Sequence, residues 1–74
     1  MPTNNMGIKI LGLNIKAERN RKNLSQEKLA ELIKMTCRSI SKIETGAQKP
    51  RAVTVYNNTK TLKISIKELF KGIE

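Results

Sequence analysis

One short pattern occurs three times in this chain: an apolar residue, a hydroxyl residue, and a second apolar residue four positions after the hydroxyl. This pattern is typical of a helix start, because the hydroxyl oxygen caps a free backbone N–H while the two apolar side chains pack together as a hydrophobic staple. It therefore predicts three helix starts and an all-α fold. The three copies are Leu24-Ser25 with Leu29, Met35-Thr36 with Ile40, and Ile64-Ser65 with Leu69.

The residues around these starts predict five helices in all. Asn23, Gly46 and Gly72 each follow a helical segment and tolerate positive φ, so they are expected to mark helix ends. The predicted helices run from Ile8 or Leu11 to Lys22, from Gln26 to Ile33, from Cys37 to Thr45, within residues 51–63, and from Ile66 to Lys71.

Two interpretations compete for the fourth of these segments. Val53, Val55 and Tyr56 are β-branched or aromatic, which favours a strand. No neighbouring segment offers a partner strand, however, and Pro50 just before the segment is typical of a helix start. These two observations favour a helix.

The length and the rare residue types narrow the classes of function. A chain of 74 residues forms one domain. Its one cysteine, Cys37, and its lack of histidine leave no internal disulfide, no zinc ligand set and no imidazole base. An enzyme is therefore the least expected class, and neither a metal nor another cofactor is expected.

The charge of the chain predicts a polyanionic partner. Fifteen Lys and Arg residues against six acidic residues give a net charge of +9. Nucleic acid is the first candidate, an anionic membrane surface is the second, and a basic surface that serves only solubility is the alternative. Aromatic residues make up only 3% of the chain, which argues against single-stranded nucleic acid because such sites stack bases on aromatic rings. Duplex DNA fits better.

Membrane association is not expected. No apolar run approaches the roughly 18 residues of a membrane span, and the residues from Met1 to Asn5 lack the blocks of a signal peptide. A membrane-surface binder needs exposed bulky apolar groups, whereas the apolar residues here are expected to be used by the staples. The expected location is the cytoplasm.

The third helix is predicted to have one apolar side and one polar side. At 100° per residue, Ile40 and Ile43 share a side and are expected to face the core. The opposite side has no acidic group, although any amphipathic helix has a wet side of this kind. A tight turn, a preceding helix and a basic chain favour DNA recognition instead. The residues of this side are Cys37, Arg38, Ser41, Lys42 and Thr45.

Such a side suits the major groove of DNA. The groove admits an α-helix, and each base pair presents a distinct set of donors and acceptors there. Arg38, near the helix N-terminus, is the best candidate for the bidentate contact to guanine O6 and N7. Lys42 lies one turn later and is expected to reach the next bases.

These residues resemble a known family. The segment LSQEKLAE from Leu24 to Glu31 and the segment SISKIETG from Ser39 to Gly46, together with Thr36 and Pro50, resemble the lambda repressor and Cro type of helix-turn-helix protein, also called XRE-like. The resemblance extends from about residue 11 to residue 70. It implies a compact five-helix bundle in which helices two and three read DNA. Residues 11–74 would form this domain, and residues 1–10 a flexible N-terminal arm or the start of helix one.

The resemblance also implies roles for individual residues. Gln26 would bind a phosphate and support the reading helix, and Arg19 and Glu44 would form a partly buried ion pair; the alternative is two independent surface charges. The residues that match base-reading positions are Cys37, Arg38, Ser41 and Lys42. Those that match further phosphate-binding positions are Thr36, Ser39, Thr45, Lys49 and Arg51.

At a few positions the chain departs from the family pattern. Lys34 stands where the family usually has glycine in the turn, so a left-handed backbone there would cost roughly 1 kcal/mol or more. Glu18 and Asn58 occupy positions that are usually apolar, and Thr59 one that is often alanine, which predicts a thinner core. Cys37 is unusual at the reading surface, where it is either a redox-sensitive thiol or only a small side chain.

The sequence thus predicts a sequence-specific, double-stranded-DNA-binding transcriptional regulator. A domain this small covers few base pairs, so a homodimer on a (pseudo)palindromic operator is expected, with repression by occlusion. Helix five and the tail from Gly72 to Glu74 are candidate dimer contacts; Phe70 is either part of this surface or part of the core. The alternative function is the antitoxin of a toxin-antitoxin pair, whose main task is to bind a partner protein.

Overall fold

The structure is a computed structural model and describes residues 5–73. These residues form five α-helices and no strand, which confirms the all-α prediction. The helices are α1 (Asn5–Arg21), α2 (Gln26–Leu32), α3 (Cys37–Glu44), α4 (Ala52–Leu62) and α5 (Ile66–Leu69).

The three predicted helix caps are present. The side chains of Ser25, Thr36 and Ser65 accept hydrogen bonds from the backbone N–H three positions later, at 3.0, 3.0 and 3.2 Å. The apolar residues that precede them are partly buried and pack against the core. Cap and staple therefore fix the starts of α2, α3 and α5 as the sequence predicts.

The predicted ends of α1, α2 and α3 (Lys22, Ile33 and Thr45) each lie one residue beyond the observed ends, and two other boundaries were wrong by more than one residue. Helix α1 begins by Asn5, earlier than Ile8 or Leu11. Ile8 and Leu11 continue the apolar side of Ile15 by one helical turn each, which favours the longer helix. Residues 1–4 of the expected arm, and Glu74 of the expected tail, lie outside the described residues.

Helix α5 is shorter than predicted, since it ends at Leu69 and not at Lys71. The amide Nδ2 of Asn14 in α1 donates hydrogen bonds to the carbonyls of Leu69 and Lys71, both at 2.8 Å. Because these carbonyls have a partner in another helix, the chain can leave the helix here without stranding them.

The segment after Pro50 is helical, as predicted. Val55, Asn58 and Leu62 share one side of α4 and are buried, whereas Val53 and Tyr56 are exposed. The period of this burial is that of a helix, so tertiary packing overrides the strand preference of the β-branched residues.

The core lies where the five helices meet, and α3 packs against both α1 and α2. A Cβ added to Gly12 of α1 would lie 2.2 Å from the carbonyl oxygen of Ile43 and 2.9 Å from that of Glu44. The backbones of α1 and α3 therefore cross closely at Gly12. The buried apolar residues are Leu11, Ile15, Leu29, Ala30, Ile33, Ile40, Ile43, Val55, Leu62 and Leu69.

Polar residues enter this core at the positions where the sequence departs from the family pattern. Asn58 is 1% exposed, and its Oδ1 is buried without a hydrogen bond, while its Nδ2 donates to the carbonyl of Thr54 at 2.8 Å. Glu18 is also buried and pairs with Arg21 at 3.2 Å. None of the described helices combines the length and the apolar character that crossing a membrane requires.

Candidate nucleic-acid interface

Helices α2 and α3 are joined by a tight turn with a defined hydrogen-bond pattern. Lys34 adopts φ = 58°, the N–H of Met35 donates to the carbonyl of Ala30 at 2.8 Å, and the N–H of Lys34 donates to that of Glu31 at 3.3 Å. This is a Schellman motif, which normally has glycine at the left-handed position. The turn thus has the geometry expected of the family, although a lysine occupies its strained position.

Helix α3 presents one side to the solvent and buries the other, as predicted. Ile40 and Ile43 are 1% and 2% exposed. On the other side, Cys37, Arg38, Lys42 and Thr45 are exposed and Ser41 is half-buried. This side, the outward side of α3, therefore consists of a thiol, two cations and two hydroxyls.

Behind α3, a buried ion pair ties this helix to α1. Arg19 Nε donates to Glu44 Oε2 at 2.6 Å, and Arg19 Nη2 donates to Glu44 Oε1 at 3.1 Å. The two side chains are only 9% and 1% exposed. The third nitrogen of the same guanidinium group, Nη1, donates to the carbonyl of Leu24 at 2.7 Å. The bidentate geometry holds the C-terminal end of α3 at a fixed distance and orientation from α1.

Gln26 adds α2 to this network. Its Nε2 donates to Glu44 Oε1 at 2.9 Å, and its Oε1 lies 3.9 Å from the Sγ of Cys37, within the range of a weak S–H hydrogen bond. Gln26 is half-buried and contacts both ends of α3. It thereby supports α3 from α2, and its contacts set the position of Cys37 at the start of the outward side.

The hydroxyl residues around α3 have local hydrogen bonds. Thr36 donates its hydroxyl proton to Ser39 Oγ at 2.9 Å, in addition to capping the helix. Thr45 donates to the carbonyl of Lys42 at 3.2 Å. Thr36 and Thr45 are exposed and lie at the two ends of α3, whereas Ser39 lies within the helix and is half-buried.

The loop between α3 and α4 carries two further cations. Lys49 and Arg51 are both exposed and flank Pro50. The carboxylate of Glu44, just before this loop, is buried and paired with Arg19, so it does not offset these cations at the surface. No group of three or more His, Cys, Asp or Glu side chains able to hold a metal ion is found within residues 5–73.

Two residues that position the site were not singled out from the sequence. Gly12 permits the close crossing of α1 over the end of α3, and Asn14 joins α1 to the end of α5. A glycine inside a helical pattern is a known sign of close backbone approach, so Gly12 had a signal. Asn14 had none, because its partners lie 55 and 57 positions away.

Comparison with known proteins identifies the arrangement. A helix-turn-helix family model matches residues 15–70, which include all of α2, the turn and α3. The chain belongs to the helix-turn-helix family. The resemblance to the lambda repressor and Cro type is thereby confirmed. No curated protein matches this helix-turn-helix chain.

Solved structures share the fold of this helix-turn-helix protein. The restriction-modification controller protein C.AhdI from Aeromonas hydrophila is 28% identical, with a TM-score of 0.81, over 85% of this chain and 96% of that one. The c2 repressor of P22, solved with a synthetic operator, is 26% identical, with a TM-score of 0.76, over 84% and 94% of the two chains. The competence regulator ComR from Streptococcus vestibularis is 28% identical, with a TM-score of 0.78, over 89% of this chain and 22% of that one.

Proposed function

We propose that this chain is a sequence-specific transcriptional regulator of double-stranded DNA, with α3 as its reading helix. The observation that carries the proposal is the outward side of α3, which is cationic and solvent-exposed while its opposite side is fixed by the core and by the Arg19–Glu44 pair. The family match and the likeness to a controller protein and an operator-bound repressor support DNA-binding regulation.

Base reading is assigned to the outward side of α3. Arg38, in the first turn of α3, is exposed and long enough to make a bidentate contact to guanine O6 and N7. Lys42 lies one turn further and would reach the neighbouring bases. Cys37 and Ser41 have short side chains and would contact only those parts of the bases that lie close to the helix.

Phosphate binding is assigned to the rim of the same surface. Lys49 and Arg51 are exposed cations in the loop after α3, and their contacts would release counterions and raise affinity for every sequence. The polar residues proposed to contact the sugar-phosphate backbone of the DNA are Gln26, Thr36, Ser39 and Thr45.

A homodimer on a (pseudo)palindromic operator follows from the size of the domain. One reading helix covers a single half-site, and two half-sites about 34 Å apart would bring two copies to the same face of the duplex. Ile66, which is 59% exposed, supplies apolar surface on α5 for contact between the copies. With the domain seated on a promoter, repression by occlusion is the simplest action.

Selection of sites from random duplexes at two salt concentrations tests the reading role. Arg38→Ala is expected to lower affinity for the best wild-type site by about 1–3 kcal/mol and to remove the preference at one base pair. Lys49→Ala is expected to weaken binding to all sequences similarly. It is also expected to reduce by about 1 the slope of the logarithm of the binding constant against the logarithm of the salt concentration. Lys16→Ala, which removes an exposed cation from α1, is the control. An unchanged ranking of sites in Arg38→Ala would contradict the assignment of Arg38.

A further inference from the structure

A pocket of about 420 Å³ opens on the side of the molecule where α1, the loop after α3, α4 and the end of the chain meet. Its walls are mainly apolar and include Ile8 and Leu11 from α1, Val55 from α4, and Phe70 and Ile73 from the end of the chain. The volume lies in the range of small-molecule sites, roughly 300–1,000 Å³. The pocket therefore has the size and the apolar surface of a ligand site.

The apolar walls are incompletely covered by the chain itself. Phe70 is 38% exposed, and Ile8 and Ile73 are half-buried. Covering this surface with an apolar group would be favourable by the same effect that builds the core. The occupant is thus expected to be largely apolar.

The charge at the pocket defines the polar end of the occupant. Among the described residues that line it, Lys49 alone is charged, and no carboxylate is present to pair with it. An anionic group on the occupant would gain from the charge of Lys49, whereas a cationic group would be repelled by it.

We infer that this pocket binds a small apolar carboxylate, such as a medium-chain fatty acid, with its tail among the apolar walls and its carboxylate on Lys49. Lys49 is also a proposed DNA phosphate contact, so this step depends on the proposed function. A carboxylate on Lys49 competes with a phosphate for the same ammonium group. The ligand therefore weakens DNA binding, and DNA weakens binding of the ligand.

Thermal denaturation with decanoate, kept below its micelle-forming concentration, tests the pocket. A ligand that binds only the folded chain raises the Tm, here by about 6–10 °C at a concentration roughly ten times its Kd. Decanol is expected to bind more weakly than decanoate, and decylamine more weakly still. Lys49→Gln is expected to weaken the binding of decanoate about three- to fivefold while leaving the binding of decanol unchanged.

Ala52→Leu blocks the pocket without removing a charge. Ala52 is exposed at the start of α4 and lines the pocket, so a longer side chain there occupies the ligand's space. This variant is expected to lose the decanoate effect, whereas Ala17→Leu, at an exposed position of α1 outside the pocket lining, is expected to keep it. No saturable rise in Tm, or equal binding of decanoate and decylamine, would overturn the inference. A stable dimer that excludes decanoate would overturn it too, with a second copy as the occupant.

Anisotropy of a labelled operator duplex tests the competition. Saturating decanoate is expected to weaken binding about three- to tenfold in the wild type and not in Ala52→Leu. Unchanged duplex affinity with decanoate bound would overturn the competition. If no duplex binds at all, the proposed function fails while the rise in Tm with decanoate stands. If duplexes bind and decanoate does not, only the pocket assignment fails.

Discussion

Glu44 joins three helices through a single carboxylate. It accepts hydrogen bonds from Arg19 of α1 and from Gln26 of α2, and it lies at the end of α3. The burial of both Glu44 and Arg19 means that neither charge can be solvated if the other is removed. The pair therefore fixes the orientation of α3, whatever its net contribution to stability.

Removing the carboxylate is expected to destabilise the fold. Glu44→Ala leaves the Arg19 guanidinium buried without its partner, so we expect a loss of about 3–5 kcal/mol in the free energy of unfolding. Lys42→Ala, an exposed substitution on the same helix, is expected to change it by less than about 0.5 kcal/mol. Urea denaturation of the two variants measures the difference. Equal midpoints would show that the pair has no such role.

Individual residues differ in how far the sequence could predict them. The exposure of Arg38 and Lys42 followed from the helical period of Ile40 and Ile43 alone. The contacts of Asn14 depend on how distant helices cross, which no local pattern specifies. A glycine within a helix indicates a close approach but not its partner, which at Gly12 is the end of α3. The roles of the outward residues toward bases and phosphates remain predictions.

At the scale of the elements, one three-residue signal ends one helix and starts the next. It consists of a residue with positive φ, an apolar residue and a cap hydroxyl. The three non-glycine residues with positive φ are Asn23, Lys34 and Lys63 among the described residues, and each stands two positions before a cap hydroxyl. The intervening apolar residue donates its N–H back to the preceding helix, as in the Schellman motif, and also serves as the staple.

This signal explains which helix ends were predictable. Asn23 was expected to be left-handed because of its residue type, and Lys34 because of the family pattern. Lys63 was not expected, although it occupies the same place relative to Ser65 as Asn23 does to Ser25. The end of α5 lacked this signal, since it depends on the distant amide of Asn14.

The strained lysine in the α2–α3 turn can be replaced to test this account. Lys34→Gly removes the Cβ clash of the left-handed conformation. The free-energy cost of this clash is larger than the cost of the extra entropy that glycine gives the unfolded chain. We expect a gain of about 0.5–1 kcal/mol in the free energy of unfolding. Lys60→Gly, the same substitution inside α4, is expected to lose about 1 kcal/mol. Chemical denaturation compares them, and a loss in Lys34→Gly would contradict the strain argument.

At the scale of the whole molecule, the bundle packs one side of α3 against the other helices and leaves exposed the side that is proposed to read DNA. The buried side of α3 is fixed by α1 and α2, its outward side is exposed to solvent, and α5 is attached to α1 through Asn14 on another part of the surface. The staples are expected to use the bulky apolar residues, but Ile66 and Leu13 are each 59% exposed. That expectation was wrong, because a bundle of this size has too little interior for all its apolar residues.

If two copies meet through α5, Ile66→Ser will weaken operator binding without unfolding the chain. Ile66 is 59% exposed, so the free energy of unfolding should change by no more than about 0.5 kcal/mol. Loss of apolar contact between the copies should raise the protein concentration at half-saturation of a two-half-site operator, while affinity for a single half-site stays the same. Leu13→Ser, at equal exposure on α1, is the matched control. Gel-shift titrations on the two duplexes measure both quantities. An equal shift in the two variants would exclude α5 as the contact between copies.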